Sequence, residues 1–263
     1  EGHAVTFAAG LAAQGFIPMV AIYSTFLQRA YDEIIHDAAL QNLKVIFAID
    51  RAGIVGEDGP THHGCFDLSY MRHIPNMTVM VPRDESQLRD MLYTAVYHIE
   101  GPSAIRYPRA TGAGVPLRDD FKALPIGKGE ILWEGEDAAV LAVGPVVHEC
   151  LDALGKLSSK SIQAALADMK FVKPLDLELL YNIASTHRFI ITVEENALEG
   201  GFGSLILEKL TGMDIECKTL RIGIPDKFIE QGTRKQLLKY LGLTSDGIYD
   251  AVYKFLMKEK AVY

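Results

Sequence analysis

The sequence has few cysteines, no long apolar run and no excess of basic residues. Its three cysteines, Cys65, Cys150 and Cys217, are odd in number and far apart, which favours reduced thiols over a disulfide framework. No apolar segment approaches the ~20 residues that a membrane-spanning helix needs. Lys and Arg number 26 against 34 Asp and Glu, and no basic cluster is visible, so we expect neither nucleic-acid nor membrane binding.

Apolar segments alternate with helical patterns along both halves of the chain. Because the predicted strands are apolar throughout, the pattern indicates an α/β fold with two domains, each a mainly parallel sheet covered by helices. A segment at 112–125, rich in Gly and Pro, has no periodicity and indicates a linker. We therefore predict one domain at 1–115, a linker at 116–126 and a second domain at 127–263. The predicted strands are Pro18–Tyr23, Val45–Ile49, Thr78–Val81, Ser103–Arg106, Ala138–Val143, Ile162–Leu166, Phe189–Val193 and Cys217–Leu220.

Three polar clusters follow predicted strands of the first half. They are Tyr23–Thr25, Asp50–Gly64 and Arg106–Arg109. The carboxyl ends of parallel strands meet at one edge of a sheet, and ligands bind there. We expect these clusters to converge, and their His, Asp and Arg side chains suit an anionic substrate and proton transfer near neutral pH.

Several of these features also have a purely structural interpretation. His62 and His63 can be polar groups of a loop, and two adjacent histidines without a spaced third ligand do not predict a metal site. Phe26 has the spacing of a core residue in a helix over Thr25–Leu40. The glycine-rich turn at 200–204 can bind an anion, or it can be a tight turn with Ser204 as helix N-cap.

Longer motifs favour a functional interpretation. Seven segments closely resemble, in one unbroken order, the 1-deoxy-D-xylulose-5-phosphate synthase family, whose members are thiamine-diphosphate-dependent and transketolase-like. The resemblance covers nearly the whole chain, with one departure at Gly2, where the family usually has Gln. The segments are Glu1-Gly-His-Ala-Val-Thr-Phe-Ala-Ala-Gly10, Ala21-Ile-Tyr-Ser-Thr-Phe-Leu-Gln-Arg-Ala-Tyr-Asp32, Ile49-Asp-Arg-Ala-Gly-Ile-Val-Gly56, Asp58-Gly-Pro-Thr-His62, Gly101-Pro-Ser-Ala-Ile-Arg-Tyr-Pro-Arg109, Phe171-Val-Lys-Pro-Leu-Asp176 and Val193-Glu-Glu-Asn-Ala197.

The resemblance also implies that a domain is missing. The family's first domain binds Mg²⁺ and the cofactor's diphosphate through a Gly-Asp-Gly motif and a later Asn. Residues 56–59 read Gly-Glu-Asp-Gly without a suitably spaced Asn, so they are not that motif. We expect this chain to hold a truncated pyrimidine-binding domain and a complete C-terminal domain. Its thiamine diphosphate and Mg²⁺ would depend on the absent N-terminal domain, and the fragment alone would be inactive.

The resemblance further implies roles for individual residues. Glu1 would bind the cofactor's pyrimidine nitrogen and drive its tautomerisation, with Phe26 stacked on the ring. The substrate-binding and catalytic side chains would be Tyr23, Arg29, Asp58, His62 and Arg109, with both arginines holding a phosphate. The implied reaction condenses pyruvate with glyceraldehyde 3-phosphate, with loss of CO₂, in isoprenoid precursor, thiamine and pyridoxal biosynthesis. The enzyme would be a homodimer, cytoplasmic rather than in the plastid stroma.

A second interpretation stays open. The β subunit of a 2-oxoacid dehydrogenase also pairs these two domains, while the diphosphate-binding domain lies on a separate chain. The absence of the first domain favours this interpretation, whereas the amino-acid sequence of residues 50–64 argues against it.

Overall fold

The computed structural model describes residues 1–260 and folds them around two five-stranded sheets. The strands are β1 (Met19–Tyr23), β2 (Ile46–Asp50), β3 (Thr78–Met80), β4 (Ser103–Arg106), β5 (Glu130–Trp133), β6 (Ala138–Ala142), β7 (Ala164–Asp168), β8 (Phe171–Lys173), β9 (Phe189–Ala197) and β10 (Lys218–Ile224). The helices are α1 (Gly2–Ala13), α2 (Ser24–Leu27), α3 (Tyr31–Glu33), α4 (Asp67–Met71), α5 (Glu85–His98), α6 (Val146–Ser158), α7 (Leu177–Thr186), α8 (Phe202–Gly212), α9 (Arg234–Tyr240) and α10 (Ser245–Lys260).

The first sheet has the strand order β1-β2-β4-β3-β8. Its first four strands are parallel, and β8 adds to β3 in the antiparallel direction. The residues of β3 and β4 are all buried, as expected for strands covered by helices on both faces. Since β8 comes from the second half of the chain, the two halves share this sheet.

The second sheet has the order β10-β9-β6-β7-β5, with only β5 antiparallel to its neighbour. All nine residues of β9 are buried. One hydrophobic cluster contains residues of both halves, among them Val79, Val81, Val172 and Leu180. The predicted fold class, two mainly parallel sheets covered by helices, is confirmed.

The helix predicted over Thr25–Leu40 changes pitch along its length. A 3₁₀ turn at Gln28–Ala30 lies between α2 and α3, and a π-helical segment follows at Ile34–Ala39. Ala30, Ile34 and Ala38 are fully buried, whereas Phe26 is only half-buried. The four-residue spacing therefore marks core residues from Ala30 onward. Phe26, which has the same spacing, lies outside the core at the edge of the sheet.

The predicted linker is irregular but is fixed along α5. The Glu85 carboxylate accepts hydrogen bonds from the backbone N–H groups of Ala113, Gly114 and Val115. A hydrogen bond from its own backbone N–H and these three bonds lower the pKa of Glu85. Arg89 donates to the carbonyl oxygens of Arg118 and Asp120. The glycine- and proline-rich composition therefore marks the absence of regular structure here, and the polar face of α5 orders the segment.

All three cysteines are free thiols, with Cys65 and Cys150 buried and Cys217 partly buried. Burial raises the pKa of Cys65 to about 12 and raises that of Cys150 further. Buried thiols of this kind behave as small apolar core residues. No helix within residues 1–260 has the length and apolar character to cross a bilayer.

Candidate functional site

The carboxyl ends of β1, β2 and β4 lie side by side. Tyr23 pairs with Asp50 across β1 and β2, and Ile49 pairs with Arg106 across β2 and β4. The three polar clusters that follow these strands therefore meet on one rim of the first sheet. We refer to the segment after β2, residues 51–65, as the rim loop.

An aromatic cluster of Tyr23, Phe26 and His62 occupies this rim. The Tyr23 and Phe26 rings stack with centroids 5.5 Å apart, and His62 meets Phe26 edge-on at 5.3 Å. The Thr25 hydroxyl donates to the Thr61 carbonyl at 3.1 Å, so the start of α2 is tied to the rim loop. The Thr61 hydroxyl lies 2.9 Å from His62 Nδ1. The contacts hold an imidazole against a half-buried aromatic ring.

The side chain of Arg29 connects Glu1 to this cluster. Its Oε1 atom is 3.5 Å from Arg29 Nη1, and the Arg29 guanidinium carbon lies 5.1 Å from the centre of the Phe26 ring. Glu1 is the N-cap residue of α1, yet its side chain makes no capping hydrogen bond. The carboxylate is therefore held by Arg29 and not by the helix N-terminus.

Asp58 and Arg109 pair with each other. Arg109 Nη1 lies 3.1 Å from Asp58 Oδ2, and both side chains are about half exposed. The structure therefore brings five of the seven predicted residues together by direct contacts, namely Glu1, Tyr23, Phe26, Arg29 and His62. Arg29 and Arg109 bind different carboxylates, and the rim loop that carries both Asp58 and His62 links the two groups.

The two adjacent histidines have different environments. His63 is only 4% exposed. Its Nδ1 accepts a hydrogen bond from the Val55 N–H at 3.1 Å, and its Nε2 lies 3.3 Å from the Glu230 carbonyl oxygen. These partners fix a neutral tautomer with the proton on Nε2, and burial lowers the pKa of His63. His63 is a structural residue of the rim loop, and His62 is the histidine that reaches the rim.

Arg51 is a rim residue that the sequence did not single out. Its guanidinium carbon lies 3.6 Å from the centre of the Tyr23 ring, and its side chain forms an ion pair with Asp50. Its backbone has a φ of 57°, a left-handed conformation that costs a residue other than glycine about 1–2 kcal/mol. A charged residue held in this way directly after β2 places a third guanidinium at the site. Its sequence signals were its position after a strand and its place in the motif at 49–56.

The glycine-rich turn before α8 binds an anion that the chain itself provides. The Glu194 carboxylate accepts hydrogen bonds from the N–H groups of Phe202 and Gly203, at 2.6 and 2.7 Å. Gly201 is the N-cap of α8, so the alternative that Ser204 caps the helix is wrong. Ser204 instead donates to the Leu198 carbonyl. The turn is filled by a side chain of β9 and offers no site for an external anion.

Glu194 makes the stability of the chain depend on pH near neutrality. Burial raises its pKa to about 7, against the two backbone N–H groups that favour the anion. The folded state therefore holds the proton more tightly than the unfolded state. This stabilisation is full below the normal carboxyl pKa and is lost as the pH rises through 7.

We expect the free energy of unfolding to fall by about 1 kcal/mol between about pH 6.5 and about pH 8 because of this group. Glu194→Gln should remove that slope, even if the variant is less stable at every pH. The measurement is urea unfolding across the pH range, with Glu178→Gln, an exposed carboxylate, as the matched control. Equal slopes in the parent chain and Glu194→Gln would contradict the assignment.

Two family models and several curated proteins match this chain along most of its length. The family model "Transketolase, pyrimidine binding domain" matches residues 1–113, and "Transketolase, C-terminal domain" matches residues 127–248. A 1-deoxy-D-xylulose-5-phosphate synthase 1 of Geobacter sulfurreducens is 55% identical over 99% of this chain and 41% of its own length. The synthase of Chlorobium luteolum is 51% identical over 97% of this chain and 40% of its own length.

Two solved structures are also similar. The β chain of a split-gene transketolase, described as an inactive β4 tetramer, superposes with a TM-score of 0.87 and 34% identity, covering 98% of this chain and 82% of that one. A transketolase from Campylobacter jejuni has a TM-score of 0.73 at 22% identity, covering 95% of this chain and 38% of that one, which shows the fold alone. The chain thus spans about two fifths of the length of the curated relatives it matches.

Proposed function

Because the chain belongs to the transketolase-like family of thiamine-diphosphate-dependent enzymes, we propose that it forms the pyrimidine-binding part of a 1-deoxy-D-xylulose-5-phosphate synthase. The reaction condenses pyruvate with glyceraldehyde 3-phosphate and releases CO₂. Identities of 49–55% to proteins of that name support the substrate assignment. The observation that carries the proposal is the contact series from Glu1 through Arg29 and Phe26 to His62.

The residues of the rim fit the aminopyrimidine part of thiamine diphosphate. The Glu1 carboxylate makes no N-cap hydrogen bond and can accept one from a protonated ring nitrogen. The half-buried ring of Phe26 can stack on the pyrimidine. No group of three or more His, Cys, Asp or Glu within residues 1–260 is arranged to hold a metal ion. We assign the diphosphate and Mg²⁺ to a separate N-terminal domain, as the resemblance implies. When bound, the cofactor supplies the nucleophilic carbon and the electron sink.

The chain's own residues position the substrates and move protons. Glu1 stabilises the protonated pyrimidine nitrogen through a charge-assisted hydrogen bond. His62 has its Nδ1 next to the Thr61 hydroxyl, so its Nε2 is the atom that exchanges a proton with the oxygen of the acceptor aldehyde. Asp58 orients that aldehyde. Planar guanidinium groups match phosphate oxygens, and Arg29 and Arg109 provide these donors, with Arg51 over the Tyr23 ring as a third.

We also propose that other protein surfaces cover part of this chain. Several large apolar side chains at α1, β1 and the nearby turns are 48–72% exposed, which is typical of a surface that another domain or subunit covers. A second copy and the N-terminal domain are the occupants that the family resemblance implies, in a cytoplasmic homodimer. The exposed residues are Phe7, Phe16, Ile17, Met19 and Leu40.

A chimera tests the proposal. The part of the Geobacter sulfurreducens relative that this chain does not match is fused ahead of Glu1, and pyruvate and glyceraldehyde 3-phosphate are supplied with thiamine diphosphate and Mg²⁺. We expect equal amounts of CO₂ and 1-deoxy-D-xylulose 5-phosphate by mass spectrometry. The 263-residue chain alone should form no product and should bind the cofactor more weakly than the micromolar range in calorimetry.

The same assay separates the alternatives. A chimera that transfers the acyl group of a 2-oxoacid to a lipoyl acceptor, and not to glyceraldehyde 3-phosphate, would identify a 2-oxoacid dehydrogenase β subunit. Micromolar cofactor binding by the bare chain would contradict the division of the cofactor site between two domains. The inactivity of the β4 tetramer in the similar split-gene transketolase supports the expectation that this chain alone is inactive.

A further inference from the structure

Several of the contacts that hold the rim loop in place come from the second half of the chain. Its base is closed by two backbone hydrogen bonds between Gly53 and Gly64, each 2.7 Å long. From β9, the Ala197 N–H donates to the Cys65 carbonyl at 2.8 Å. From the segment after β10, the Glu230 carbonyl accepts the hydrogen bond of His63. The geometry of the loop therefore depends on residues far away in sequence.

A buried ion pair of the second half binds both backbone groups of Ile54. Glu195, 5% exposed, accepts the Ile54 N–H on Oε1 at 2.7 Å. Arg234 donates through Nη1 to the Ile54 carbonyl at 2.5 Å. The same guanidinium forms a two-pronged pair with Glu195, with Nη2 2.7 Å from Oε2. Charge-assisted bonds of this geometry are strong and directional.

The loop backbone lies directly against this pair. A Cβ atom at Gly53 would lie 2.3 Å from Glu195 Oε1, and one at Gly56 would lie 3.1 Å from the backbone nitrogen of Arg234. Both glycines also have positive φ angles, of 76° and 110°. The close approach leaves the loop little space to shift at this end. Asp58 follows soon after Gly56 along the chain, and His62 lies toward the other end of the rim loop.

We propose that Glu195 and Arg234 are positioning residues for the acceptor substrate. By fixing Ile54, they set where Asp58 and His62 lie relative to Phe26. This inference rests on the proposed function for its kinetic consequence, but its structural part is independent of the reaction. The C-terminal domain would thereby take part in acceptor binding through the rim loop.

The structural part is tested by hydrogen exchange in the 263-residue chain. We expect Arg234→Met to accelerate exchange of the amides in the rim loop by at least about tenfold, because local opening no longer breaks the bond from Arg234 to the Ile54 carbonyl. Arg72→Met is the matched control, since Arg72 forms a two-pronged pair with Glu208 between α4 and α8 without touching Ile54. Unchanged exchange in the loop, or equal acceleration in every peptide, would overturn the proposal.

Arg234→Met leaves Glu195 buried and unpaired, and this can unfold the chain. A second variant without either charge then provides the test. The double variant Glu195→Gln with Arg234→Met removes both charges and retains an acceptor for the Ile54 N–H. We expect the same local acceleration in the rim loop, with melting temperature close to that of the control. A protected loop in this folded variant would also overturn the proposal.

The kinetic part uses the active chimera. A misplacement of about 1 Å can cost on the order of 100-fold in rate. We expect the double variant to raise the KM for glyceraldehyde 3-phosphate at least about tenfold and to leave the KM for pyruvate within about twofold. Arg72→Met should change neither. Equal effects on both substrates would overturn the positioning role, whereas a chimera that never uses glyceraldehyde 3-phosphate would refute the proposed function and leave the exchange result standing.

Discussion

Glu1→Gln in the active chimera should reduce 1-deoxy-D-xylulose 5-phosphate formation by about 100- to 10,000-fold, the range for loss of a positioned acid–base group. The amide cannot stabilise a protonated pyrimidine nitrogen as a carboxylate does. The fold should be retained, because within residues 1–260 Glu1 forms an ion pair only with Arg29, whose side chain is 65% exposed. Pairs as exposed as this contribute about 0–1 kcal/mol.

The measurement combines turnover, cofactor affinity and melting temperature. Glu1→Asp should retain part of the activity, because it keeps the charge and shortens the side chain by one methylene. Glu100→Gln is the matched control, since Glu100 is 87% exposed and its ion pair with Lys44 is long, at 3.8 Å. If Glu1→Gln retains turnover within about threefold of the parent, Glu1 is not the pyrimidine-activating carboxylate.

The convergence of the three polar clusters followed from the sequence. Parallel strands place their carboxyl ends at one edge, so the strand pattern alone predicted Tyr23, Asp50 and Arg106 on one rim. The registers of β1, β2 and β4 show why this worked, because these three strands are direct neighbours. Local patterns that end at the same edge of a sheet need no knowledge of side-chain packing.

The partners of the site residues could not be predicted. Periodicity describes one element at a time, whereas Arg234 meets Ile54 across 180 positions and Glu195 meets it across 141. Only the motif at 58–62 distinguished His62 from His63. Local patterns could not, because the difference between their environments is set by the distant Glu230 carbonyl. Such contacts depend on how the two sheets pack against each other.

Some missed elements did carry a local signal. In α10, Ile248, Val252 and Leu256 recur every four residues and are all fully buried, which is the pattern of an amphipathic helix.

The missed strand β8 carried no such signal. It has only three residues, Phe171–Lys173, and it pairs with β3 in a sheet that the other half of the chain largely provides. A strand this short has no periodicity to detect, so tertiary pairing alone defines it.

Asp67→Asn should lower the free energy of unfolding by about 3–5 kcal/mol, the largest stability effect that we expect in this chain. Asp67 and Arg106 are 1% and 4% exposed, and their Oδ1 and Nε atoms lie 2.8 Å apart. Arg106 also donates to the carbonyl oxygens of Glu195 and Gly64, so it joins β4, the rim loop and β9. The substitution leaves a guanidinium cation buried without its counter-ion.

Urea unfolding and melting temperature measure this effect, with an expected decrease in melting temperature of about 10 °C. Asp120→Asn is the matched control, because Asp120 is 81% exposed and lies 3.6 Å from Arg118, so its loss should cost less than about 0.5 kcal/mol. The double variant Asp67→Leu with Arg106→Met should recover part of the loss, since an apolar pair needs no counter-ion. A cost below about 1 kcal/mol for Asp67→Asn would mean that water or another carboxylate compensates Arg106, and the buried pair would then not be a main source of stability at the rim.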